Sequence, residues 1–204
     1  MIRVALPKGR IAEQTLDIFQ KIFNEKFEFE SRKLILKKSG FTFLNVRNWD
    51  VATYVYHGAA DIGIVGYDVL RELQMDNVLE LLDMKLGICK VCVGGIVGDD
   101  SYKNKTELKV ATKLEGIAKE YFSKKGIPAE IIKLNGSIEL APLIGLSDII
   151  VDIVETGTTM KENGLEVKED VLDYVSARLI ANKNSFVAKK PQIVELYEKI
   201  KELV

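Results

Sequence analysis

The sequence has 204 residues, 47% hydrophobic and 29% charged, which suffices for one large core or two smaller ones of about a hundred residues each. Acidic and basic side chains nearly cancel at a net charge of −1. No single-sign field therefore favours a nucleic-acid or membrane-surface partner. Because the sequence shows neither an export leader nor the roughly 20 apolar residues of a membrane span, we expect a cytoplasmic protein.

The first half of the chain alternates short apolar runs with segments of helical spacing. Residues 2–6 predict a strand that Pro7 ends, and apolar residues at helical spacing predict a helix over 11–23. Further strands are predicted at 32–38, 41–46, 61–65 and 86–97, and helices at 50–57 and from residue 67 to before 76.

The second half repeats this opening. A strand is predicted over 108–112 and a helix over 114–125, and an amphipathic helix over 191–204 is expected to pack back on the protein. A Gly-x-x-Asp turn precedes an apolar strand twice, at residues 58–61 and 145–148. Alternating strands and helices favour parallel sheets with helices on both faces. We therefore expect an α/β protein with two similar lobes around a cleft, with lobe I formed by 1–90 plus about 178–204 and lobe II by 91–177.

The most specific segment is a predicted buried strand that runs directly into Glu155, Thr156, Gly157, Thr158 and Thr159. Consecutive backbone N–H groups, hydroxyls and a helix start favour a phosphate dianion, and glycine permits close approach and positive φ. Asp152 and Glu155 could accept hydrogen bonds from ribose hydroxyls, so a sugar phosphate fits better than inorganic phosphate. The alternative is an ordinary strand-to-helix turn with threonine as its cap.

Three other features contain side chains that are capable of binding or catalysis. Lys8 and Arg10 flank Gly9 at the end of the first predicted strand, which suits a polyphosphate contact, although solvated cations near helix ends are common. His57, the only histidine, is interpreted as a surface or satisfied residue. Cys89 and Cys92 lie three apart in an apolar strand, where side chains point to opposite faces, so a redox or metal role is not favoured.

Four segments together resemble the ATP phosphoribosyltransferase family: L-P-K-G-R at 6–10, G-A-A-D-I-G-I-V-G-x-D at 58–68, N-G-S-I-E-L-A-P at 135–142 and D-I-V-E-T-G-T-T-M-K-E-N-G-L at 152–165. They lie in order across nearly the whole chain. The resemblance implies two lobes of the periplasmic-binding-protein type II fold. It also implies transfer of the phosphoribosyl group of phosphoribosyl pyrophosphate to N1 of ATP, the first step of histidine biosynthesis, with pyrophosphate as leaving group.

The resemblance also implies roles for individual residues. Catalysis is expected from Asp152, Glu155 and Glu139, and the last of these could instead be a helix-start carboxylate favoured by the helix dipole. Phosphoribosyl pyrophosphate is expected to contact lobe II, at Asp152, Thr156, Gly157, Thr158 and Thr159. ATP is expected to contact lobe I, at Lys8, Gly9, Arg10 and Asp68. Mg²⁺ is implied as a cofactor carried by the substrate, with no firm protein ligand.

One position departs from the family, because Tyr67 stands where many members carry a basic residue, so no phosphate contact is carried over to it. Long members continue with a regulatory domain of roughly 80 residues after the point where this chain's last predicted helix lies. We therefore expect the short form, which works in a hetero-oligomer, a hetero-octamer by resemblance, with a regulatory subunit resembling histidyl-tRNA synthetase.

Two binding modules remain as alternatives. A solute-binding protein would share the two lobes but should carry an export signal, and it has no need for an acid pair joined to a Thr-Gly-Thr-Thr loop. The effector domain of a transcription regulator usually follows a helix-turn-helix segment, whereas here the first predicted strand begins at residue 2.

Overall fold

The computed structural model describes residues 1–204 and divides them into two compact units. Unit 1 comprises Met1–Gly87 and Ser176–Val204, and unit 2 comprises Ile88–Val175. The chain thus leaves unit 1 after Gly87 and returns to it at Ser176. No helix in the structure is both long enough and apolar enough to span a membrane.

Eleven strands and eight α-helices make up the two units. The strands are β1 Ile2–Pro7, β2 Ile35–Lys38, β3 Phe41–Val46, β4 Ile62–Gly66, β5 Val78–Asp83, β6 Cys89–Ile96, β7 Leu108–Thr112, β8 Ala129–Lys133, β9 Ile149–Val154, β10 Leu165–Val175 and β11 Ala177–Asn182. The helices are α1 Arg10–Phe23, α2 Asn48–Tyr56, α3 Tyr67–Leu73, α4 Glu115–Lys124, α5 Leu140–Leu143, α6 Thr158–Glu162, α7 Lys183–Ala188 and α8 Lys190–Lys201.

Unit 1 contains a six-stranded sheet in the order β2-β3-β1-β4-β11-β5. Strands β3, β1 and β4 are parallel, whereas β2, β11 and β5 each pair with a neighbour in antiparallel fashion. The expectation of parallel sheets is therefore wrong for half of these strands. One reason is local: Ser39 and Gly40 both have positive φ, at 50° and 80°, so they form a two-residue hairpin turn that can only join antiparallel strands.

Both faces of this sheet are covered by helices. Helices α1 and α8 enclose a core with an aromatic cluster in which the Phe19 and Phe43 ring centroids lie 4.9 Å apart. On the other face α2 packs closely on β4 at Gly63, where an added Cβ would lie 2.8 Å from Val55 and 2.9 Å from Val51. The glycine therefore lets the helix approach the carboxyl half of the sheet, where α2 and α3 begin.

Unit 2 contains a five-stranded sheet in the order β10-β6-β9-β7-β8. Strands β7, β8 and β9 are parallel, while β6 runs antiparallel to both β9 and β10. The sheet is covered by short helices and by α4, whose predicted apolar side chains Ile117, Ala118 and Phe122 are buried. One core cluster joins Met160 of α6 to Ile150 of β9 and so anchors the turn between these two elements.

The sequence predicted most of these elements. The strands at β1, β3, β4, β6, β7 and β9 and the helices at α1, α2, α3, α4 and α8 are confirmed with shifts of a few residues. The predicted strand over 32–38 is shortened, since Ser31 has φ 41° in a turn and β2 starts only at Ile35. Strands β5, β8, β10 and β11 were not predicted.

Candidate active site

The turn from β9 to α6 carries the predicted phosphate loop. Gly157 is the residue before α6 and has φ 77° and ψ −1°, and no side chain caps the helix. The hydroxyls of Thr156 and Thr158 lie 2.9 Å apart, and the backbone N–H of Thr158 donates to the Thr156 hydroxyl at 3.4 Å. A local threonine turn of the kind that the alternative interpretation expects is therefore present, and the binding of phosphate by this loop stays a prediction. The first N–H groups of α6 have no acceptor within their own helix.

A cavity of about 320 Å³ in unit 2 lies at this turn. It is lined by Glu139, Asp152, Ile153, Val154, Glu155, Thr156, Gly157, Thr158, Thr159 and Met160. The structure thus brings Glu139, which directly precedes α5, to the two carboxylates and the threonine loop. All the side chains predicted for catalysis and for phosphoribosyl pyrophosphate line this one cavity.

Asp152 is a partly buried carboxylate in this cavity. Burial raises the pKa of Asp152, the backbone N–H of Ile153 opposes this by donating to Oδ1 at 2.8 Å, and the charge of Glu139 raises the pKa further. Lys113 lowers it only weakly, and the net pKa lies above the usual value for aspartate. The ionised form of Asp152 is therefore partly desolvated and accepts one backbone hydrogen bond, so hydroxyls or a cation would stabilise it further.

A second group of site residues lies in unit 1, at the carboxyl ends of the adjacent parallel strands β3, β1 and β4. Helices α2, α1 and α3 start there, preceded by Arg47, Gly9 and Gly66, and none of the three has a side-chain cap. Three helix starts therefore lie at one sheet edge, which favours anions, although the first N–H of α3, that of Tyr67, already donates to the carbonyl of Ser176.

The cations at this edge are exposed and held on short connections. Lys8 and Arg10 flank Gly9, whose φ of 97° and ψ of −153° form a conformation nearly restricted to glycine. Arg47 is also exposed and ends the neighbouring connection. Arg47 was not predicted as a site residue, although its position between a predicted strand and a predicted helix is typical of one.

Asp68 was predicted to contact ATP, and the structure buries it to 4% exposure. Its carboxylate folds back over Gly66, where an added Cβ would lie 2.2 Å from Oδ1. Asp68 therefore lies buried against the start of α3, and its contact with ATP stays a prediction.

The other residues that were weighed for chemistry lie outside both groups. His57 is exposed after the last residue of α2. Cys92 is buried and donates to Asp170 at 3.4 Å, and burial raises the pKa of its thiol to about 12, so it is a poor nucleophile at neutral pH. No group of three or more His, Cys, Asp or Glu side chains could hold a metal ion.

Comparison with known proteins decides the family. The sequence model of the family described as "ATP phosphoribosyltransferase" matches residues 47–202. The ATP phosphoribosyltransferase of Sulfurovum sp. (strain NBC37-1) is 62% identical over 204 residues, covering 100% of this chain and 98% of the relative. That of Campylobacter fetus is 59% identical and covers 100% of both chains. The chain belongs to the ATP phosphoribosyltransferase family. It is a pentosyltransferase of the first step of histidine biosynthesis, as the motifs predicted.

Solved structures confirm the predicted fold. The ATP phosphoribosyl transferase (HisG:HisZ) complex from Thermotoga maritima contains a chain with a TM-score of 0.84 and 35% identity, covering 99% of this chain and 98% of that one. A substrate-binding protein of an amino acid ABC transporter has a TM-score of 0.63 at 13% identity, covering 99% of this chain and 92% of its own. This second likeness concerns the fold alone and explains why a solute-binding protein was a rival interpretation.

Proposed function

We propose that the chain transfers the phosphoribosyl group of phosphoribosyl pyrophosphate to N1 of ATP, with unit 2 holding the phosphoribosyl donor and unit 1 holding ATP. The observation that carries the proposal is the cavity of about 320 Å³ in unit 2, because it combines three carboxylates with a threonine-glycine loop of phosphate-binding type. A sugar phosphate needs both kinds of group.

In unit 2 the loop would bind the 5′-phosphate. The N–H groups that start α6 and the hydroxyls of Thr156, Thr158 and Thr159 are donors suited to a dianion. Asp152 and Glu155 would accept hydrogen bonds from the ribose hydroxyls, and those donors would relieve the desolvated charge of Asp152. Glu139 would stabilise the positive charge that develops on the ribose as pyrophosphate departs.

In unit 1 the triphosphate of ATP would lie at the sheet edge where α1, α2 and α3 begin. Lys8, Arg10 and Arg47 supply cations there, and Gly9 lets the backbone approach. We assign Asp68 to positioning the start of α3, since its carboxylate is buried over Gly66.

The chemistry requires alignment more than proton transfer. N1 of adenine carries a lone pair and no proton, so its attack on C1 needs no general base. This agrees with the exposed position of His57 away from both groups of residues. The carboxylates that hold the ribose would keep C1 in place, and pyrophosphate would leave from the opposite face.

We propose Mg²⁺ as the cofactor, bound through the pyrophosphate of the substrate. The substrate itself would carry the ion, because no group of three or more His, Cys, Asp or Glu side chains is placed to hold a metal ion. When bound, the ion would neutralise charge on the leaving group. The protein side of the site would supply carboxylates, among them the partly buried Asp152.

A regulatory subunit of the HisZ kind is proposed as the partner, because a chain that is 35% identical occurs in the Thermotoga HisG:HisZ complex. By the family resemblance the assembly would be a hetero-octamer. We propose a cytoplasmic location, as expected from the family resemblance to a biosynthetic enzyme.

The test incubates the purified chain with ATP, phosphoribosyl pyrophosphate and Mg²⁺, with and without the regulatory subunit, and follows pyrophosphate and N1-phosphoribosyl-ATP. We expect equal amounts of both products. Thr158→Val should slow the reaction, while Glu162→Gln, on the same helix and outside the cavity lining, should not. Pyrophosphate release without consumption of ATP would exclude the proposal.

A further inference from the structure

Tyr67 is in contact with a cation on one side of its ring. The guanidinium carbon of Arg178 lies 4.8 Å from the ring centroid. Tyr67 is the first residue of α3, and its backbone N–H donates to the carbonyl of Ser176 at 3.0 Å. The ring is only partly buried. The pair therefore joins the start of α3 to the start of β11 and leaves part of the tyrosine ring accessible.

Two carboxylates hold the side chain of Arg178 in place. Its Nη1 lies 3.0 Å from Oδ2 of Asp83 and 3.5 Å from Oε1 of Glu80, and its side chain is 14% exposed. Asp83 is fixed in turn by the hydroxyl of Ser176, which donates to it at 2.6 Å. The guanidinium is therefore anchored by carboxylates, and Tyr67 is not needed to neutralise it.

The position of the Tyr67 ring indicates what kind of ligand it could contact. Tyr67 follows Gly66 at the carboxyl end of β4, and β4 is the parallel neighbour of β1, whose carboxyl end leads into Lys8. A planar aromatic group thus lies at the same sheet edge as the exposed cations. A ligand with a polyphosphate chain and a planar base could use both.

We propose that Tyr67, backed by Arg178, is a stacking platform for the purine base of the nucleotide whose phosphates Lys8 and Arg10 hold. The inference rests on the proposed assignment of ATP to unit 1. A ring held by a fixed cation on one side presents its remaining surface without having to be ordered on binding, so little conformational entropy is lost. Base stacking on an aromatic side chain typically contributes a factor of roughly 5 to 150 in affinity.

Calorimetric titration of ATP and of inorganic tripolyphosphate against matched variants tests this. Tyr67→Ala should weaken ATP at least about fivefold and leave tripolyphosphate within about twofold, because only the base contact is lost. Tyr67→Phe keeps the ring and should bind both ligands as the wild type does. Tyr54→Ala serves as control, because it removes an exposed tyrosine near the C-terminal end of α2, whereas the proposed site lies where α2 begins.

Equal binding of ATP by wild type and Tyr67→Ala would overturn the inference, and so would parallel loss of both ligands in Tyr67→Ala. Weak ATP binding by Tyr67→Phe would also overturn it, since the hydroxyl and not the ring would then be the contact. The proposed function fails separately if the wild type binds ATP more tightly than tripolyphosphate and yet forms no N1-phosphoribosyl-ATP. If the wild type binds tripolyphosphate as tightly as ATP, the base contributes nothing and the platform is excluded.

Discussion

Asp61 and Arg3 are joined by a reciprocal pair of hydrogen bonds. The backbone N–H of Asp61 donates to the carbonyl of Arg3 at 2.9 Å, and the backbone N–H of Arg3 donates to Oδ2 of Asp61 at 2.8 Å. Asp148 and Lys109 repeat the arrangement in unit 2, with both distances at 2.8 Å. Each aspartate ends a Gly-x-x-Asp turn and extends a parallel strand pair by one residue. The repeated motif is therefore structural, although its first copy lies within the family-specific segment at 58–68.

The first prediction concerns the stability that Asp61 provides. It also accepts hydrogen bonds from Lys189 at 2.7 Å and Ser185 at 2.8 Å, so it ties the C-terminal helices to β1. Asp61→Ala leaves these donors unpaired around a buried site and should lower the free energy of unfolding by about 3 kcal/mol. Asp148→Ala, with a more exposed side chain, should lower it by about 1–2 kcal/mol. Urea unfolding measures both, and similar small losses would contradict the argument.

The second prediction is the pH dependence of the same contact. Burial alone would raise the pKa of Asp61, but the hydrogen bonds from Lys189, Arg3 and Ser185 outweigh it and hold the pKa below the usual value. A lowered pKa in the folded state adds stability above the unfolded value of about 4, and this is lost as the pH falls below it. In urea unfolding at pH 7 and pH 3, the wild type should therefore lose more stability than Asp61→Asn. Parallel pH profiles would refute the assignment.

The third prediction concerns Gly157, which has φ 77° in the phosphate loop. The protein itself has room for a methyl group, because an added Cβ meets only Val154 at 3.9 Å. Gly157→Ala should nevertheless strain the backbone by about 1–2 kcal/mol and move the loop N–H groups. We expect phosphoribosyl pyrophosphate to bind about tenfold more weakly, with ATP affinity unchanged, as measured by calorimetric titration.

Gly164 offers the matched control. It has φ 72°, has open space around an added Cβ and lies outside the cavity lining of the same unit. Gly164→Ala should cause a similar loss of stability without weakening phosphoribosyl pyrophosphate. If both variants weakened this ligand equally, strain and not the phosphate contact would be responsible.

The fourth prediction separates function from stability at Asp152. The pKa of Asp152 is raised in the folded state, so its ionised carboxylate destabilises the fold. The stability that the protonated carboxyl provides at low pH is therefore lost as the pH rises through the folded pKa. Asp152→Asn should therefore keep or increase the melting temperature at pH 7, with a smaller difference at pH 4. Activity should fall at least about a hundredfold. A variant that is less stable at pH 7 and still active would reverse both conclusions.

The fifth prediction concerns Lys8. Its side chain is exposed in a connection after β1, so Lys8→Ala should leave the melting temperature unchanged within about 1 °C while weakening tripolyphosphate severalfold. Lys21→Ala, at the other end of α1 and also exposed, is the control. Binding should be measured at two salt concentrations, because a charge contact weakens as salt rises. Unchanged tripolyphosphate affinity in Lys8→Ala would remove it from the site.

The sequence by itself determined the features that depend on neighbouring residues. Hydrophobic periodicity was sufficient for α1, α4 and α8, because each buries one apolar face. A continuous apolar run was sufficient for β1, which is buried on both faces of its sheet. The loop from Asp152 to Thr159 was also accessible, since its carboxylates, hydroxyls and glycine are adjacent in the chain. The family followed from four ordered segments and is confirmed by full-length relatives.

Tertiary structure alone decided the features that arise from distant pairing. Strands β10 and β11 carry mixed polar and apolar residues, and their places in the sheets depend on antiparallel partners far away in sequence. Only folding brings Glu139 to the cavity of Asp152, buries Asp68 over Gly66 and sets Arg178 against the distant Tyr67. Burial and charge proximity are properties of the packed chain, so the raised pKa of Asp152 could not be predicted from local spacing.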